Sequence, residues 1–423
     1  MRNLVLACIA CLSISSYSQE KHVTNYGIKF NGFVKSDFFM DSREVAMARE
    51  GHFLLYPLAE NLDINNKDIN SHPSTNFLAI QSRLTGSITG PDAFGAKTSG
   101  VLEADFFGNA GDENGFRLRH AFAKLNWKST ELLMGQYWHP MFVAECFPGV
   151  ISFNTGVPFQ PFSRNPQIRL SQNLGRSLKG FISAATQRDF TSAGPTTPSS
   201  ITSAGPTTPS SIFIRNSSIP NVHAQIQYKP DSTEHVFGIG ADYKTLLPQT
   251  NTTGTLGKSV STELIQSFSA IAYGKLEFNR FVVKMEGVYA QNPYDLTMIG
   301  GYAATSVPDA ATGAVEYTNT ATASGWIDMN SKGKKMQVGL FGGLCKNLGA
   351  EENITGTYYA RGNNIDYAYR IAPRLVFPAG KMTLAVEVEY TAAAYGNTKT
   401  DGTVINEKEV ANIRGLFSCI YKF

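Results

Sequence analysis

From residue 26 onward, apolar and polar positions alternate in runs of about ten residues. This is the period of an extended strand, whose successive side chains point to opposite faces. In 26–41, Ile28, Phe30, Gly32, Val34, Phe38 and Met40 share one face, and Lys29, Asn31, Lys35, Asp37 and Asp41 the other. The split recurs in 281–290, where Phe281, Val283, Met285 and Tyr289 oppose Lys284 and Glu286. It recurs in 365–377, where Tyr367, Tyr369, Ile371, Leu375 and Phe377 oppose Asp366, Arg370 and Arg374, and in 382–390, where Met382, Leu384, Val386 and Val388 oppose Glu387 and Glu389. Lys124 and His120 break the rule by lying among apolar neighbours. A β-sandwich in water also alternates. It does not need so many tall segments in series, nor aromatic residues gathered near segment ends as interfacial girdles.

The links between segments alternate in length. Long ones fall at 42–74, 108–114, 138–165, 187–220, 245–265, 291–320, 347–363 and 394–409, and short ones near 90–96, 128–130, 173–177, 230–233, 277–280, 331–334 and 378–380. These links join sixteen strands. The pattern predicts an all-β fold, a transmembrane antiparallel β-barrel with short periplasmic turns and long extracellular loops. An extra apolar segment at 297–304 would break the alternation and is assigned to a loop.

Composition changes the picture in one respect. Only 17% of the 423 residues are charged, although 42% are hydrophobic, yet the longest apolar run, Leu4–Leu12, is too short for a membrane helix. Preceded by Met1-Arg2-Asn3 and followed by Ser16-Tyr17-Ser18, that run reads as a secretory signal. The expected organisation is a signal peptide 1–18, a short periplasmic segment 19–25 and a barrel 26–423. The formal net charge of +3 gives no nucleic-acid-binding arm.

Candidate chemistry is sparse. Cys146, Cys345 and Cys419 remain after the signal, an odd number with spacings too wide for a zinc knuckle. The stretch 252–259 approaches a phosphate-binding loop but has Thr252 where the first Gly belongs. No zinc-protease motif or nucleophile elbow occurs, so no enzyme activity, cofactor or metal is expected. His139, at a strand-to-loop transition, reads as a hydrogen-bonded structural residue. The eleven residues 191–201 recur letter for letter at 202–212, which reads as a tandem duplication in a flexible external loop, 187–220.

What remains is charge on the inward face. Lys29, Lys35, Arg83, Arg117, Arg119, Lys284, Arg370, Arg374 and Arg414 are candidates, with Glu103, Asp105 and Glu286 among the acids. Sixteen strands leave room for an aqueous channel, and charges on its wall bias which ion enters. Arg117 and Arg119 together suit bidentate capture of carboxylate or phosphate. The link 138–165 carries five Phe and four Pro residues and few charges, too apolar for a loop in water. It is expected to fold inward and constrict the lumen, rather than to pack at a subunit interface. The last segment ends with Phe417, Tyr421 and Phe423 on one face. This resembles the sorting signal read by the outer-membrane barrel assembly machinery.

Several stretches carry a family resemblance: Gly32-Phe-Val-Lys-Ser-Asp-Phe-Phe-Met-Asp-Ser-Arg43, Ala48-Arg-Glu-Gly-His-Phe-Leu-Leu-Tyr-Pro57, Gln81-Ser-Arg-Leu-Thr-Gly86, Arg117-Leu-Arg-His-Ala-Phe-Ala-Lys124, Gly135-Gln-Tyr-Trp-His-Pro140 and Pro161-Phe-Ser-Arg-Asn-Pro166. Together they resemble Bacteroidetes porins of the DcaP-like outer-membrane family, with a more distant likeness to phosphate-selective porins. The resemblance implies a barrel, often trimeric, set among outer-membrane lipid and lipopolysaccharide. It would pass small hydrophilic solutes by diffusion, organic anions such as dicarboxylates among them. Arg83, Arg117, Arg119 and Arg164 then fall at the constriction or its approach. The competing reading is an adhesion or binding barrel that acts through its long loops.

Overall fold

In the computed structural model, residues 26–108, 115–195, 209–231 and 233–423 are described. The expected signal peptide, the segment 19–25 and most of the tandem repeat lie outside them. Sixteen strands cross in chain order: β1 Gly27–Asp41, β2 Ser74–Leu78 continued by Arg83–Thr89, β3 Lys97–Asp105, β4 Arg117–Asn126, β5 Thr130–Trp138, β6 Arg164–Asn173, β7 Leu178–Ala185 and β8 Asn221–Tyr228. The second half comprises β9 Val236–Leu246, β10 Ile265–Glu277, β11 Phe281–Gln291, β12 Tyr317–Ser331, β13 Gln337–Ala350, β14 Ile365–Ala379, β15 Met382–Thr398 and β16 Val404–Lys422. Each pairs antiparallel with the next. β1 closes on β16 from Phe33↔Lys422 to Asp41↔Arg414, so the sheet has no free edge.

Long links L1 (42–73), L2 (106–116), L3 (139–163), L4 (186–220), L5 (247–264), L6 (292–316) and L7 (351–364) leave one end of the barrel, and short turns leave the other. Two details depart from the sequence reading. The eighth long link shrinks to 399–403, because β15 and β16 stay paired up to Thr398↔Val404; the small residues of 391–397 carry no alternation to read. The segment assigned to a loop at 297–304 contains a strand, Gly300–Ala304, which pairs with β12 and with Tyr358–Arg361 of L7. It raises the rim and is not a crossing.

The two faces separate as period two requires. Phe38, Leu102, Ile168, Ile226, Leu344, Val386 and Phe417 are exposed on the outside, while Lys35, Asp37, Arg370, Glu387 and Arg414 are buried inside. An outer face this apolar suits lipid rather than water.

The exceptions at Lys124 and His120 have a physical cause. β3 and β4 slip by one residue where Glu103↔His120 gives way to Ala104↔Leu118. Arg119 is the extra residue of this bulge, which changes the parity of the strand. Arg117, before it, and Arg119 itself point inward, and after it His120, Phe122 and Lys124 do. Lys124 is therefore an inner-face residue, ion-paired with Glu131 at 2.9 Å. Opposite Phe122, on β5, Gly135 has φ +130°, and a Cβ there would lie 2.2 Å from the Ala121 carbonyl oxygen. Only glycine fits.

The core lies inside the barrel. It joins the L1 hairpin Val45–Ala48/Phe53–Pro57 and the aromatic residues of L3 to wall residues of β9–β15 such as Tyr273, Trp326 and Phe341. The wall is uneven: β3–β8 have 8–10 residues each, and β12–β16 have 14–19.

Candidate functional site: the charged lumen

The β2–β6 side of the lumen carries a cluster of guanidiniums. Asp105 accepts two bonds from Arg117, each 3.0 Å, and one of 2.9 Å from Arg119. Arg119 also donates to Glu103 at 2.8 Å, and Arg83 approaches the same carboxylate at 3.7 Å. Asp189, at the start of L4, takes bonds of 3.0 and 2.6 Å from Arg164 and lies 3.4 Å from Arg117 and 3.3 Å from Arg49. Burial would raise the Asp189 carboxyl, but Arg164, Arg117 and Arg49 outweigh it and hold it down at about 2. Ring faces support the cations: Arg83 lies over Phe33, Arg117 over Phe107, and Arg119 and Arg164 over Trp138. Five guanidiniums thus share three carboxylates. The wall keeps a positive surplus, reached by solvent at Arg83 and Arg49, whose side chains are 21% and 16% exposed.

The charges on the opposite side have another task. Glu387 accepts from the backbone N–H groups of Ile151 and Ser152, both at 2.9 Å, and Asp328 from that of Gly149 at 2.9 Å. Asn154 donates to Glu389 at 2.6 Å. Arg370 donates to Val157 O of L3 at 2.9 Å, to Leu54 O of L1 at 2.7 Å and to Thr391 at 2.8 Å. Arg414 chelates Asp41 and donates to Gly51 O at 2.8 Å. Lys35 reaches Gln81 and Ile151 O, and Lys284 reaches Phe147 O. Arg374 bonds to Asp328 at 2.7 Å and also to Asn330. Glu286 is buried and accepts from the Trp326 indole at 3.3 Å. Wall charges thereby satisfy loop backbone groups that would otherwise be buried without partners.

Apolar packing completes the attachment. Phe153 lies 4.8 Å from Phe53 and 4.3 Å from Phe107, and Phe142 stacks on Trp138 at 3.9 Å. Burying each phenylalanine contributes about 1.5–3 kcal/mol. Glycines on the wall make room for the loop: a Cβ on Gly343 would stand 2.7 Å from the Phe159 ring. L3 therefore lies across the inner face of β10–β15.

At the base of L3, the buried His139 accepts from Met141 N at 3.3 Å and faces Asn221 at 3.0 Å and Asp242 at 3.7 Å. Burial pushes its imidazole down to about 4, against the pull of Asp242, and burial likewise pushes His52 of L1 down to about 3. Both are neutral in the folded chain at pH values where an unfolded chain, titrating near 6.5, already binds protons. Stability therefore falls as pH drops below about 6.5, by about 1.4 kcal/mol per pH unit for each proton. Urea unfolding of the inserted barrel should show a lower midpoint at pH 5 than at pH 7.5, with a flatter dependence in His139→Gln. An unchanged slope in that variant would remove His139 from the account.

Of the other candidates, Lys29 is exposed near the turn end of β1. Phe417, Tyr421 and Phe423 are exposed on the outer face. Sequence reasoning missed Arg49, Asp189 and Asp328. Asp189 lies outside any alternating segment, and its partner Arg117 is 72 residues away, so no local signal marks it.

No known family profile matches the chain, and no curated protein matches it in sequence. Solved structures do resemble it. One is the outer membrane channel DcaP of Acinetobacter baumannii, with a TM-score of 0.65 and 16% identity over 94% of this chain and 97% of that one. Another is OmpT, an outer membrane protein of Vibrio cholerae, with a TM-score of 0.53 and 8% identity over 94% and 97%. An OmpT structure described as a trimer form scores 0.51, with 10% identity over 94% and 99%. At these identities the likeness shows the fold.

Proposed function

We propose that this chain is an outer-membrane porin through which small hydrophilic solutes diffuse, with a preference for organic anions such as dicarboxylates or phosphate-like anions. The observation that carries the reading is the cluster of five arginines on three carboxylates, held inside a barrel whose outer face is apolar. Surplus positive charge in a narrow, low-dielectric lumen raises the local anion concentration. Arg83, Arg117, Arg119 and Arg164 stand in that cluster. Lys35, Lys284, Arg370, Arg374 and Arg414 serve the lumen indirectly, by fixing the loops that narrow it. The likeness to an outer membrane channel supports the same reading.

A homotrimer is part of this proposal. A strand of eight residues tilted by about 40° rises roughly 20 Å, less than the roughly 25 Å apolar band of such barrels. The low side at β3–β8 is therefore the side for neighbouring subunits to cover, and the trimer form of OmpT is consistent with that. Export through the signal peptide 1–18 and assembly through a C-terminal strand bearing Phe417, Tyr421 and Phe423 complete the reading.

Reversal potentials under a KCl gradient test it. The wild-type channel should favour chloride, and Arg83→Glu should lower the anion-to-cation permeability ratio several-fold. A conducting channel without preference would overturn the anion reading. A folded, inserted but silent barrel would overturn the porin reading and favour attachment through the loops.

A further inference from the structure

Most lumen arginines are neutralised at close range, and one on the inner wall is not. Arg169 of β6 donates to Gln167 Oε1 at 3.1 Å and to Trp138 O at 3.0 Å. Among the described residues no carboxylate lies within ion-pair distance of it. Its guanidinium is held between two rings, 5.4 Å from Tyr137 and 4.7 Å from Phe181. Such a cation is pre-oriented and still has donor capacity to offer. Lys179 follows on the same face of β7, two residues before Phe181, and its ammonium likewise has no acceptor among the described residues. The nearby Lys124 is already paired with Glu131 at 2.9 Å.

These two cations border a cavity of about 170 Å³ between L3 and the wall of β4–β8. Glu145 of L3 also borders it, an exposed carboxylate that accepts from the Gln227 amide at 2.9 Å. Leu133, Phe142 and Val143 line the same cavity and supply apolar surface. An apolar cavity of about 150 Å³ takes a molecule the size of benzene, so this one admits a single small solute. A second cavity, of about 340 Å³, shares Glu145, Lys179 and Gln227 with it and is bounded by the turn residues Arg176 and Thr233. The site is therefore continuous with the turn-side mouth of the barrel.

We propose that this cavity is a subsite for a zwitterionic solute of amino-acid size, with a carboxylate held by Arg169 and Lys179, an ammonium held by Glu145 and a short apolar body on Leu133, Phe142 and Val143. The site goes beyond a plain anion preference, because an anion alone leaves Glu145 facing it. It rests on the porin reading only for how the solute arrives.

Calorimetric titration of the full-length folded protein in detergent tests it with three probes of one carbon skeleton: L-leucine, 4-methylpentanoate, which lacks the ammonium, and 3-methylbutylamine, which lacks the carboxylate. Leucine should bind at least about tenfold more tightly than either, since omitting the ammonium leaves Glu145 unmet and omitting the carboxylate leaves Arg169 and Lys179 unmet. Arg169→Met with Lys179→Met should bring leucine down toward the amine, and Glu145→Gln should bring it down toward the carboxylate. Equal or tighter binding of 4-methylpentanoate by the wild type would replace the proposal with a simple anion subsite. Absence of binding by all three would overturn it outright. KCl conductance of the same preparation separates the two readings. Leucine binding by a silent barrel counts against the porin alone, and a conducting barrel without leucine binding counts against the subsite alone.

Discussion

Deleting Ala144–Gln160 should raise single-channel conductance several-fold. This stretch includes Phe153 and Phe159, both buried within the lumen, and its backbone meets Glu387, Asp328, Arg370 and Lys35. The wall does not need it: β10 to β15 are paired strand to strand along their lengths, and closed barrels satisfy their backbones without loops. Removal exposes Glu286, Asp328, Glu387 and Glu389 together with Lys35, Lys284, Arg370 and Arg374, acids and bases in equal number. The lumen should widen with little shift in reversal potential, because the surplus charge lies on the opposite wall at β2–β6. Planar-bilayer recording reads both quantities at once. Unchanged conductance would mean that L3 does not limit the pore.

Arg370→Ala should be the most damaging single substitution on the inner wall. The guanidinium joins L1 through Leu54 O and L3 through Val157 O, and lies 3.8 Å from Glu389. Truncation leaves two buried carbonyls without their donor and a buried carboxylate without its counter-charge. Breaking a buried pair in this way costs about 3–5 kcal/mol. The urea midpoint should fall accordingly, and limited proteolysis should cut at 45–57 and 149–158, which the wild type protects. Glu389→Gln in the same chain should restore part of the loss, because it removes the stranded charge, so the double variant should fall short of additivity. A fully additive cycle would show that the two residues act independently.

The fold was open to reading because lipid outside and polar groups inside impose period two on nearly every strand. β1, β11 and β14 show it without a break, and β15 shows it as far as Tyr390. Where the physics is local the reading fails locally. The bulge at Arg119 turns Lys124 and His120 inward, and a single extra residue leaves no mark in composition. The segment 297–304 reads as a loop until the pairing of Gly300–Ala304 with Tyr358–Arg361 is known. At the site, the alternation gives the face of Arg370 or Glu387 but not its partners, which are loop carbonyls and N–H groups far away in the chain. The apolar run Phe53–Tyr56 gives no hint that L1 turns inward, since a hydrophobic hairpin reads alike wherever it is buried. Part of the glycine content, Gly343 under Phe159 for instance, becomes intelligible once the loop is seen against the wall.

Cys146 sits within L3, fully buried, with its thiol against the carbonyl oxygens of Gly274 and Met285. Burial, with Glu286 adding to it, pushes that thiol up to about 12, so it is almost entirely un-ionised and slow to alkylate at neutral pH. Cys345 is buried on the wall and Cys419 is half-buried beside Met382. The chain therefore contains its own clock for loop opening: a water-soluble maleimide can modify Cys146 only in those moments when L3 leaves the wall, and the labelling rate counts them without any engineered probe.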